Sequence, residues 1–77
     1  MPRITLPFET WRAVIDALRA EGLPSYMTEH ADRLERALDG HGPGEAAVAL
    51  SLNDDMYLRS YNHARLVLGI PLPTPGA

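Results

Sequence analysis

The chain contains no cysteine, so neither a disulfide nor a thiolate zinc site can brace it. It has no long apolar run, and nothing approaches the roughly 20 residues that a membrane-spanning helix needs. The opening Met1-Pro2-Arg3-Ile4-Thr5-Leu6 carries no apolar segment of the signal-peptide kind. These absences lead to the expectation of a cytoplasmic protein that does not engage a membrane. Positive charge is also in short supply. The formal net charge is −3, which disfavours broad attraction to nucleic acid or anionic lipid, although a local basic face stays open. With 77 residues, a single domain buries only roughly 60% of its unfolded surface. Without staples, its stability must come from helix packing, self-association or docking on a larger partner.

Hydrophobic residues make up 45% of the chain, enough for a folded core rather than general disorder. Ile4 and Leu6 alternate with Arg3 and Thr5, as in a short strand. Pro7 suits the first position of a helix and Glu9 its first turn. Phe8, Trp11, Ile15 and Leu18, with Val14 beside them, form one apolar stripe that Gly22 should end. After Leu23, either Pro24 opens a second helix or Ser25 caps it. Met27, Ala31, Leu34 and Leu38 are its buried stripe, and Asp39-Gly40 its end. Gly40 to Gly44 is a loop. Residues 46–52 alternate like a second strand, with a helical start as the competitor. Asn53, Asp54 and Asp55 are helix-capping residues. Tyr57, Tyr61, Ala64 and Leu68 then form a third stripe, flanked by Leu58 and Val67, with Gly69 as its cap. The expectation is one small, mainly α domain over residues 1–70, in the order β-α-α-β-α with a minor two-stranded ribbon. A Pro-rich flexible tail over 71–77 would follow. A faint echo links the halves: Ile4-Thr5-Leu6 leads to Trp11 as Leu50-Ser51-Leu52 leads to Tyr57. The two strands could pair with each other or with copies in a second chain.

The residues capable of chemistry do not assemble into a reaction pattern. Asp54 and Asp55 are adjacent and diverge, as capping residues do, whereas acid–base catalysis needs convergent groups. His30, His41 and His63 lack metal-ligand spacing and read as surface or half-buried imidazoles. Ser25, Ser51 and Ser60 lack a nucleophile-elbow context. No catalytic residue, metal or cofactor is expected, and the chain does not read as an enzyme. The large groups with polar tips are more informative, because such residues anchor interfaces. Trp11, Tyr57, Tyr61 and Arg65 are the interface candidates. Each aromatic has a competing reading as core, with Tyr57 and Tyr61 forming a packing seam with wet hydroxyls.

The register of residues 3–38 resembles the ribbon-helix-helix family of DNA-binding repressors and antitoxins. A strand at Ile4-Thr5-Leu6, a helix, Gly22-Leu23-Pro24-Ser25 and a second helix carry the likeness. The resemblance implies strands paired between two chains, Arg3 and Thr5 reading the major groove, and Ser25 holding a phosphate. Several features depart from that pattern. The strand carries one basic residue, the second helix starts with Glu29 and Asp32, and the second strand and third helix have no counterpart in the minimal family.

The leading expectation is therefore a non-catalytic protein–protein interaction or accessory domain, regulatory in role. It would be homodimeric or a small subunit of a larger assembly. A ribbon-helix-helix-like DNA-binding regulator is the alternative.

Overall fold

Proline, glycine and apolar spacing divide the chain into five elements. The computed structural model describes residues 3–52, 55–69 and 72, without the side chains of Asp55 and Met56. The elements are β1 (Arg3–Leu6), α1 (Phe8–Ala17), α2 (Ser25–Leu38), β2 (Val48–Ser51) and α3 (Asp55–Leu68). The architecture is thus mainly α with a two-stranded ribbon, in the expected β-α-α-β-α order.

The strands pair antiparallel, with Ile4 opposite Leu50 and Leu6 opposite Val48. Alternation places Ile4, Leu6, Val48 and Leu50 inside and Arg3, Thr5, Ala49 and Ser51 outside. Ala-rich sequence is a weak strand former. Val48 and Leu50 nonetheless settle the competition for residues 46–52 in favour of a strand, because their apolar side chains face the helices. The loop before β2 is held to α1 by the Phe8 N–H, which donates to the Glu45 carbonyl at 2.9 Å.

The helix starts and stops differ in detail from the sequence reading. Pro7 and Pro24 each stand one residue before the helix, in extended conformation, and neither helix has a side-chain cap. Ser25 is therefore the first residue of α2 and not its cap. The α1 helix ends at Ala17, short of Gly22. A tightened turn follows, in which the Leu18 and Arg19 N–H groups donate to Ile15 and Asp16 carbonyls. Gly22 then takes φ +84 and Gly69 φ +64, the left-handed conformation that glycine adopts at least cost. The capping residues Asn53 and Asp54 lie outside the described residues. So does the expected flexible tail, except for Leu72, which is half-buried.

The core joins all five elements. It comprises the inward ribbon residues, Leu52, and the apolar stripes of the three helices, including Trp11, Ile15, Leu18, Leu34, Leu38 and Tyr61. The sequence echo has a structural counterpart. The shift that carries Ile4 onto its own cross-strand partner Leu50 also carries Leu6 onto Leu52, Trp11 onto Tyr57, Ile15 onto Tyr61 and Leu18 onto Ala64. All ten residues are buried. The β1-α1 and β2-α3 units thus share one pattern of buried positions. Among the described residues, α2 has no such counterpart.

Candidate interaction surface

Helical spacing puts Trp11 on the same face of α1 as Ile15 and Leu18, and that face turns inward. Trp11 is fully buried. Its Nε1–H donates to the Val48 carbonyl at 2.8 Å, tying α1 to β2. Its ring centroid lies 6.2 Å from that of Tyr61, with the planes tilted by 49°. Tyr61 is also fully buried. Desolvation raises its hydroxyl pKa, and the nearby Arg65 charge partly opposes this. Tyr57 is buried at the α2–α3 contact, and its hydroxyl accepts from Arg33 Nη1 at 3.0 Å. The structure therefore places the three aromatic interface candidates within the domain's own packing. Arg65 is half-buried on α3.

Residues singled out less strongly in the sequence form two polar clusters. His30 is buried, not a surface or half-buried imidazole. Its Nδ1 lies 2.7 Å from Ser60 Oγ, and its ring meets the Tyr57 ring edge-on at 4.1 Å between centroids. A signal for this was present: His30 is three residues from Met27 and four from Leu34, on the apolar stripe of α2. Ser60 is 1% exposed and offers no face to a substrate. The hydrogen bond positions His30 between α2 and α3.

The second cluster joins α1 to α2. Glu35 Oε2 accepts from Arg12 Nη1 at 2.9 Å and from Arg19 Nη1 at 3.1 Å. Arg19 Nη2 also reaches Asp32 Oδ1 at 2.8 Å and Glu35 Oε1 at 3.0 Å. The hydrogen bond from Arg19, followed by that from Arg12, holds the Glu35 carboxyl down at about 2. Its hydrogen bonds to Glu35 and then to Asp32 raise the Arg19 pKa above its ordinary value. All four side chains are at least partly exposed, so the clasp helps set the α1–α2 angle more than it adds stability.

The outer surface holds the remaining candidates. Arg3 and Thr5 point outward from the ribbon, and Ser25 is exposed at the start of α2. His41 and Glu45 pair at 2.7 Å within the loop. His63 is half-buried. No group of three or more metal-ligating side chains occurs among the described residues. An open depression of about 170 Å³ on the outer side of α2 is lined by Glu29, Asp32, Arg33 and Arg36. Among the described residues no helix is long and apolar enough to cross a membrane. Among the described residues, two large apolar side chains stand out at the surface, Leu66 at 78% and Val67 at 59% exposure, adjacent in the last turns of α3. Sequence reading placed Val67 only on the flank of a stripe and did not single out Leu66.

Comparison with protein families, with curated proteins and with solved structures finds no significant match for this chain.

Proposed function

We propose that this chain is a non-catalytic interaction module, accessory or regulatory in role, whose partner is a second copy of itself or a larger protein assembly. The observation that carries this reading is the exposure of Leu66 and Val67 side by side on α3. A domain of this length is short of core, and apolar residues contiguous at the surface mark contact sites more often than single ones do. With Trp11 and Tyr61 fully buried inside, Leu66 and Val67 on α3 are the large apolar groups that the described residues offer a partner. The test is solution mass by light scattering, from micromolar to millimolar protein, for wild type and the double variant Leu66→Glu, Val67→Glu. The expected result is a mass that rises with concentration in the wild type and stays monomeric in the folded variant. A wild type that stays monomeric throughout removes the homodimer and confines the proposal to a different partner.

A second reading has its own supporting observation. The resemblance implies strands paired between two chains; β1 instead pairs with β2 of its own chain, so duplex reading would fall to this single ribbon. Its outward face carries Arg3, Thr5, Ala49 and Ser51, and the first turn of α2 holds no acidic residue. On this reading Arg3→Ala abolishes duplex binding without changing thermal stability, and binding weakens steeply with salt. A diverse duplex pool that shows no binding at low salt sinks it.

A further inference from the structure

The second half of the chain has its packing partners in the first half. Strand β2 pairs with β1 and touches α2, and α3 packs on α1 and α2. The two touch each other less than either touches the first half. The specific bonds cross the same divide. Trp11 Nε1–H donates to the Val48 carbonyl, Arg33 Nη1 to the Tyr57 hydroxyl, and His30 pairs with Ser60. Nine residues, 39–47, join α2 to β2. Fully extended they reach about 30 Å, which matches the 31 Å longest extent of the molecule. Pro43 lies in the middle of this joint and biases it and the residue before it away from helix. Few contacts belong to the closed joint itself. They are the exposed His41–Glu45 pair, the Glu45 N–H to the Gly42 carbonyl, the His41 N–H to the Leu38 carbonyl, and Gly44 at φ +94.

We infer that β2 and α3 form an exchangeable unit, which docks on β1, α1 and α2 of a second copy of this chain when the 39–47 joint opens. The surface is the one that the second half covers in the monomer, and the occupant is the same segment from the other copy. The ribbon, the core and the Phe8 N–H to Glu45 carbonyl bond are remade between copies; only the contacts within the joint are given up. Exchange of an identical element is a low-cost route to a dimer for this reason. The closed monomer keeps one advantage, an effective concentration of its own second half on the order of millimolar. The exchanged dimer therefore competes as the chain itself approaches that concentration. The inference does not depend on the Leu66–Val67 surface, and it predicts a dimer with or without it.

The test refolds the whole chain from urea at micromolar and at millimolar concentration and reads its mass by light scattering. The expected result is monomer at the lower concentration and dimer at the higher, in wild type and equally in the double variant Leu66→Glu, Val67→Glu. Gly44→Ala strains the closed joint alone, because its Cβ meets nothing and the open joint has no need of positive φ. Both chains of a dimer shed that strain, so the concentration at which half the chains are dimeric falls about tenfold. A second experiment uses Trp11→Glu and Tyr61→Glu, each of which puts a charge into the core and unfolds the chain alone. Refolded together, the sound first half of one chain meets the sound second half of the other, and about half of the wild-type helical signal returns. Monomer throughout in wild type and in Gly44→Ala overturns the inference, as does a mixture that regains no helical signal. A dimer that forms in wild type but not in the double variant also overturns it, and leaves the interaction-module reading standing on its Leu66–Val67 surface.

Discussion

Trp11 contributes in two ways, and the two are separable by substitution. Its side chain fills the space between the ribbon and α3, while its Nε1–H satisfies the Val48 carbonyl. Trp11→Ala removes both and should cost about 3–5 kcal/mol, a large share of the 5–15 kcal/mol typical of a whole domain. Trp11→Phe keeps most of the ring volume but leaves that carbonyl without its donor, and should cost about 1–3 kcal/mol. Urea unfolding of the two variants checks the order. Equal costs would mean that the ring volume kept by Trp11→Phe contributes nothing beyond the hydrogen bond. The His30–Ser60 pair works at the same scale. Both groups are buried, so Ser60→Ala should destabilise by about 0.5–1.5 kcal/mol. A circular dichroism spectrum like that of wild type would show that the loss is local.

Between elements, the α1–α2 contact combines apolar packing with the ionic clasp around Glu35. The Glu35 pKa is depressed in the folded state, from an ordinary value near 4.5 to about 2. Its contribution is therefore fully present above pH 4.5 and is lost as pH falls towards 2. The difference in melting temperature between wild type and Glu35→Gln should shrink across that window and with added salt. A difference that stays constant from pH 6 to pH 2 would show that the clasp is not what the substitution removes. The turn between the helices depends on Gly22. Its positive φ of 84 leaves open space around a Cβ, so Gly22→Ala carries a backbone cost alone, about 1–2 kcal/mol. Thermal unfolding reads it directly. Here sequence and structure agree on the glycine but not on the helix end. Propensity would let α1 run on to Arg19, yet the chain must turn early for α2 to reach α3.

At the scale of the molecule, the Cα radius of gyration is 11.3 Å, close to the roughly 11 Å expected of a compact chain this long. Compactness depends on bringing β1 to β2 across two intervening helices, a non-local pairing closed by the Gly40–Gly44 loop. Loop-closure entropy grows slowly with length. Doubling this loop with Gly and Ser between Gly42 and Pro43 should therefore cost only about 0.6 kcal/mol. A larger loss in urea unfolding would show that the contacts of the loop, His41 with Glu45 and Phe8 with Glu45, hold more of the fold than its length does. The ribbon closes within the chain, β1 on β2, and α2 joins both α1 and α3.

The sequence by itself determined the strand and two helices of the first half, the apolar stripes of all three helices and the break at Gly40–Gly44, and left residues 46–52 open between strand and helix. Each follows from local rules: apolar periodicity, the φ restriction of proline and the freedom of glycine act within a few residues. Even the echo between Ile4-Thr5-Leu6 and Leu50-Ser51-Leu52 was legible, because equivalent faces demand similar patterns. Only the tertiary structure decided that these two strands pair with each other, and that Trp11, Tyr57 and Tyr61 pack inward. The amphipathic pattern of an aromatic residue is the same whether its cover is its own chain or another. It was also tertiary structure that buried His30 against Ser60 and left Leu66 and Val67 outside. Burial is set by which helix flank a neighbour covers, and that depends on contacts between residues far apart in the chain.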